Sequence, residues 1–145
     1  MKQVNTLMGA LLGGAMVMGS LALPTAAVAG DPLVAPKVVF QVSDGDLAKW
    51  NLALNNARNV QKDRKGAIIE IVAYGPGIGM LKADSEVADR VGEAVDSGVK
   101  VVACGNTMKS QNLTKDDMNS KIGYVQAGVV ELMDRQMEGY SYIRP

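Results

Sequence analysis

From residue 37 onward the apolar positions fall into blocks whose spacing alternates between a buried strand and a helix face. Lys37-Val38-Val39-Phe40-Gln41-Val42 is almost continuously apolar, as a strand covered on both faces tends to be. Ser43 and Asp44 offer a helix cap. Leu47, Trp50, Ala53, Leu54, Ala57 and Val60 then recur on one helical face, opposite Lys49, Asn51, Asn55 and Arg58. After the charged turn Lys62 to Gly66, Ala67 to Ala73 reads as a second strand. Glu70 stands out there, because an acid among apolar strand residues is expected at a sheet edge or a subunit contact. The glycine-rich stretch Tyr74 to Met80 predicts a tight turn that needs positive φ. Asp84 or Ser85 starts a second helix lined by Val87, Ala88, Val91, Ala94 and Val95, and Gly98 stops it.

Val99-Lys100-Val101-Val102-Ala103-Cys104 is a third strand rich in β-branched residues. Gly105 breaks it, and Asn106 or Thr107 can cap the short helix expected over Asn106 to Asn112. Thr114 to Asp117 carries a capping signal for one more turn, and Ile122 to Val125 is a short strand. In the last helix Val129, Val130, Met133 and Met137 mark the inner face, with Glu131, Asp134, Arg135 and Glu138 outside. Gly139 ends it, and Tyr140 to Arg144 makes an edge strand.

Alternating strands and helices predict an α/β fold with a mostly parallel sheet of about five strands and helices on both faces. In such a sheet the loops at the carboxyl ends of the strands build the site. Three of them are distinctive: the one with Asp44, the one with Gly75 and Gly77, and Cys104-Gly105-Asn106-Thr107.

Before residue 37 the pattern changes. Lys2 is followed by a low-charge apolar run from Leu7 to Leu23, then Pro24, then the small-x-small triplet Ala27-Val28-Ala29. This predicts a signal peptide over 1–29, cleaved before Gly30, and one mature domain over 30–145 that is soluble in a periplasm or outside the cell, with no membrane attachment after cleavage.

Charge adds little, since 15 basic residues face 15 acidic ones. The cluster Lys62, Asp63, Arg64 and Lys65 has mixed sign and no aromatic neighbour, which argues against nucleic-acid binding. The absence of histidine excludes Ser-His-Asp and Cys-His catalysis and histidine-ligated metals. A single cysteine cannot build a structural zinc site, and Asp44-Gly45-Asp46 is only a fragment of a calcium loop, so no metal is expected. No cofactor is expected either. The glycines at 75, 77 and 79 complete neither Gly-x-Gly-x-x-Gly nor a Gly-Lys-Ser/Thr ending.

Cys104 is therefore the candidate nucleophile. A thiol at the carboxyl end of a strand, where the N–H groups of Gly105, Asn106 and Thr107 converge, is placed for thiolate stabilisation. Asp44, Gly75 and Gly77 are candidate pocket residues beside it. The competing reading makes Cys104 a small buried hydrophobe, since free cysteines are among the most buried residues.

Val72-Ala73-Tyr74-Gly75-Pro76-Gly77, Ala83-Asp84-Ser85, Val102-Ala103-Cys104-Gly105-Asn106-Thr107-Met108 and the closing Glu138-Gly139-Tyr140-Ser141-Tyr142-Ile143-Arg144-Pro145 resemble the DsrE/DsrF-like family in its exported branch. The resemblance covers about Val34 to Pro145 and implies a three-layer α/β/α sandwich, commonly assembled as a homo-oligomer. It implies at most a sulfur carrier or sulfurtransferase-like protein, with the sulfur held on Cys104 as a persulfide and exchanged with a donor or acceptor protein. The alternative is a non-catalytic oligomeric binding module.

Overall fold

The computed structural model describes residues 35–145, so the expected leader over 1–29 lies outside the described residues. Five strands form one all-parallel sheet: β1 (Lys37–Val42), β2 (Ile68–Ala73), β3 (Lys100–Cys104), β4 (Gly123–Val125) and β5 (Ser141–Ile143), in the order β4-β3-β2-β1-β5. Between them run α1 (Leu47–Asp63), α2 (Ala88–Asp96), α3 (Gly105–Ser110) and α4 (Gly128–Met137). The result is a three-layer α/β/α fold. Because every pairing is parallel, all five carboxyl ends share one edge.

Strand alternation divides the core into two unequal parts. Val38, Phe40 and Val42, Ile69, Ile71 and Ala73, and Val101 and Ala103 face α1 and α2, where Ala53, Leu54, Ala57, Val87 and Val91 meet them. The other face offers Val39, Val72 and Val102, and α4 covers these with Leu132 alone as a fully buried apolar residue. Trp50 packs against the larger core, and its indole N–H donates to the Asp44 carbonyl at 2.7 Å.

Four expectations change. The cap of α1 is Asp46, whose carboxylate accepts from the Ala48 N–H at 2.8 Å, rather than Ser43 or Asp44. α2 begins at Ala88, because Asp84 to Val87 form a turn first. Glu70 is not at an edge: it is the third residue of β2, between β1 and β3, and only 1% exposed.

The largest change is in α4, whose faces are reversed. Val129, Val130, Met133 and Met137 point outward, with Met137 83% exposed, while Leu132, Glu131 and Arg135 turn toward the sheet. The reason is Glu70. A buried carboxylate on the sheet draws the helix face that carries Arg135, and this pairing outweighs the apolar stripe.

Candidate functional site

β3 delivers Cys104 to the carboxyl edge of the sheet on the α4 side, 5% exposed. The strand ends there because the next residue is helical: α3 starts at Gly105, one residue earlier than expected, with Cys104 itself at its cap position. A side chain at 105 would press on the Val125 carbonyl at 3.3 Å, so glycine lets α3 start close against the end of β4.

Four donors face the thiol. They are the Thr107 hydroxyl and the N–H groups of Gly128, Thr107 and Asn106. Burial by itself would raise the thiol pKa, and together these donors outweigh burial and bring it below the usual value. The hydroxyl comes first among the lowering causes. It is oriented, because it accepts the Gly75 N–H at 3.0 Å and so turns its own proton toward the sulfur. The Asn106 N–H contributes least, being also bonded to the Gln126 carbonyl at 3.1 Å.

Gly128 was not expected in this site. It is the first residue of α4, its N–H has no partner inside the helix, and it is one of the groups that lower the thiol pKa. The thiol thus lies against the amino ends of two helices, α3 and α4. A Cβ at 128 would meet the Tyr74 side chain at 3.1 Å, so a glycine is what lets the phenol ring and the helix end approach together. Gly128 acts through its backbone, and no spacing of chemical side chains in the sequence could have revealed it.

The expected pocket residues are brought together in part. Gly75, with a positive φ of 53°, ties its loop to Thr107. Gly77 packs on the Val42 carbonyl at the end of β1, where any side chain would collide, so its role is to close the loop onto the sheet. Asp44 is on the same edge but pairs with Arg144 at 3.2 Å instead of reaching the thiol. Beside that pair, the Tyr142 hydroxyl donates to Gln41 at 2.7 Å. Tyr74 is raised above its usual pKa, chiefly by burial and then by Tyr142, and it feels the Cys104 charge. Among the described residues no three His, Cys, Asp or Glu side chains gather as a metal site would require, and no helix is long and apolar enough to cross a membrane.

Glu70, Lys100, Glu131 and Arg135 form a second polar group on the α4 side. Lys100 Nζ lies 3.0 Å from Glu70 Oε1 and 2.9 Å from Glu131 Oε1. Arg135 Nε is 3.8 Å from Glu70 and 3.5 Å from Glu131. Glu70 is raised to about 7, first by burial and then by the facing Glu131 carboxyl, with Lys100 opposing. Glu131 is also penalised by burial, but Lys100, Glu70 and Arg135 hold it below the usual carboxylate range.

The sequence model of the DsrE/DsrF-like family matches residues 37–145. A solved protein of unknown function from Methanobacterium thermoautotrophicum is 36% identical with a TM-score of 0.74, over 76% of this chain and 99% of that one. A second, from Bacteroides thetaiotaomicron and also of unknown function, is 18% identical with a TM-score of 0.63, over 75% and 94% of the two chains; this shows the shared fold alone. No curated protein matches.

Proposed function

This chain belongs to the DsrE/DsrF-like family, a family generally linked to sulfur relay, and from that premise we propose that Cys104 carries sulfur as a persulfide. The observation that carries the reading is the thiol between two helix ends, with four donors outweighing its burial. The thiolate attacks the outer sulfur of a donor persulfide, R–S–SH. One S–S bond forms to Cys104, the donor S–S bond breaks with its electron pair, and R–S⁻ leaves. The proton stays on the transferred sulfur or passes to water, and no oxidant is needed. An acceptor thiolate reverses the step. Thr107 and Gly128 favour the anionic form of the attacking sulfur. The same donors stabilise it again when it leaves.

Donor and acceptor are proteins or small thiols able to reach the carboxyl edge of the sheet. Export to a periplasm or beyond belongs to the same proposal and rests on the run Leu7 to Leu23 and the Ala27-Val28-Ala29 triplet. The intact mass of the protein purified from its native host reads the cleavage site.

Intact mass spectrometry after incubation with a persulfide donor tests the chemistry, with Cys104→Ser as control. The expected result is one added sulfur atom, lost on reduction and absent in the variant. No adduct on a folded protein would overturn the reading.

A second reading is favoured by two observations. Cys104 is only 5% exposed, and α4 presents Val129, Val130, Met133 and Met137 outward. These fit a non-catalytic oligomeric binding module, with α4 covered by a second copy and Cys104 structural. Under this reading the thiol labels only after unfolding.

A further inference from the structure

On the side of the sheet covered by α1 and α2, a groove of about 270 Å³ runs between the two helices. Its floor is apolar, made by Leu54, Ala57, Ala94 and Val99. Ala57 and Ala94 are small enough to leave the space, and two polar links tie the helices across it. At one end Arg90 of α2 donates to the side-chain oxygens of Asn51 and Asn55 on α1, the second at 2.8 Å. At the other, the Gln61 amide donates to the Ser97 carbonyl at 2.9 Å and to its hydroxyl at 3.2 Å. Asn55 and Gln61 are about 9 Å apart along α1, so the frame is the size of a small molecule. Val99 precedes Cys104 by about 16 Å of extended chain, which makes the groove separate from the thiol.

The charged lining is Arg58 and Arg90, with Glu93 as the single acid. Among the described residues neither arginine has a carboxylate within ion-pair distance. Arg90 is half-buried, and the groups that hold it are neutral amides, which fix a guanidinium without cancelling its charge. Asn51 is itself oriented, since its amide N–H donates to the Leu47 carbonyl at 3.0 Å. These bonds take two of the five guanidinium donors of Arg90 and leave three for a ligand. Arg58 is exposed and stands one turn from both Asn55 and Gln61, so it borders the groove from the solvent side. Two guanidiniums against one carboxylate leave one net positive charge on the lining.

We propose that this groove binds a small carboxylate with an apolar body. The carboxylate pairs with Arg90 and Arg58, and the body lies on Leu54, Ala57, Ala94 and Val99. The planar fork of an arginine matches the two oxygens of a carboxylate, and Arg90 is already held in place for it. A lining with one net positive charge suits a monoanion, and Glu93 at the rim disfavours a doubly charged phosphate. The volume is just below the roughly 300–1,000 Å³ of pockets for drug-sized ligands, which selects a short aliphatic or single-ring acid. Binding is the whole of the event: no bond is made or broken, and the site does not depend on the reactivity of Cys104.

The test is a titration of the protein with octanoate, followed by nuclear magnetic resonance of the backbone amides and the arginine Nε–H groups. Octanamide, which lacks the charge, and acetate, which lacks the body, are the controls. Octanoate is expected to shift Ala57, Ala94, Arg58 and Arg90 in a saturable way, with both controls at least about tenfold weaker. Arg58→Gln changes an exposed side chain, so the fold is kept and octanoate should bind about tenfold more weakly. Arg90→Lys keeps the charge and loses the fork, and should weaken binding in the same direction. Octanamide binding as tightly as octanoate, an affinity unchanged in Arg58→Gln, or shifts confined to other parts of the molecule overturn the proposal. So does a groove that stays silent into the millimolar range, whether empty or covered by a second copy. None of these readouts involves the thiol, so their failure leaves the sulfur-carrier reading as it stands.

Discussion

The two faces of the sheet are built differently. Toward α1 and α2, Phe40, Ile71, Ile78, Met80 and Leu81 are among the fully buried residues, and no charged group enters. Toward α4, the fully buried apolar contact is Val39, Val72, Val102 and Leu132, with Tyr74, Val125 and Tyr140 partly buried against it and an ionic group beside it. The thick face fixes the fold, because apolar area removed from water is the main favourable term. The thin face is where a polar group can be kept, a helix end aimed and a thiol tuned at small cost to stability. Separating these tasks lets the helix that lends Gly128 to the site rest on the sheet through few fully buried apolar residues.

The sharpest way to break that division is to damage each face and read both stability and thiol pKa. Phe40→Ala, in the thick core, should cost about 3–5 kcal/mol in urea unfolding and leave the thiol pKa of the folded protein unchanged. Gly77→Ala should also lower stability, since its Cβ would land on the Val42 backbone. On the thin face the order reverses. Gly128→Ala forces the Tyr74 ring and the end of α4 apart, and Thr107→Val removes the hydroxyl donor; both should raise the thiol pKa measured by absorbance of the thiolate. Thr107→Val also strips the Gly75 N–H of its acceptor, at about 1 kcal/mol.

Glu70 sharpens the comparison through pH. Its folded pKa of about 7 is above the ordinary 4.5, so it contributes stability that is complete below about 4.5 and lost as pH rises through about 7. The loss is on the order of 3 kcal/mol, at about 1.36 kcal/mol per unit over the rise from 4.5 to about 7. Glu131, held low, acts in the opposite sense and at lower pH: its contribution is lost as pH falls through its folded value. Glu70→Gln should therefore flatten the fall in stability between about pH 5 and 7.5, read from urea midpoints, and gain on the wild type as pH rises. The smallest expected effect is at the outer surface of α4. Met133→Lys should change monomer stability by less than about 0.5 kcal/mol, while sedimentation shows loss of any assembly built on that face.

The thick face was almost wholly legible in the sequence. The apolar runs of β1, β2 and β3, the 3.6-residue face of α1 and the stop at Gly98 all follow from local spacing. The thin face was not. Val129, Val130, Met133 and Met137 make a convincing inner stripe by spacing alone, and what reverses it is Glu70, far away in the chain. The clue was present: an acid in a central apolar strand requires a cation on whatever covers it, and Glu131 with Arg135 four residues on supplies the matching face. Cys104 and Thr107 stand out in the sequence because strand ends gather donors. Gly128 was missed because a backbone N–H has no residue-type signature, and Asp44 shares the edge while pairing with Arg144.

We propose at the centre of this account that the thin face favours the thiolate of Cys104 in the folded protein. The most direct measurement compares the alkylation rate of Cys104 at pH 6.5 in native protein and in protein unfolded by urea. A faster rate in the native state is expected, because the donors outweigh burial in setting the thiol pKa. A thiol that reacts only once the chain is unfolded would contradict it and leave Cys104 as packing.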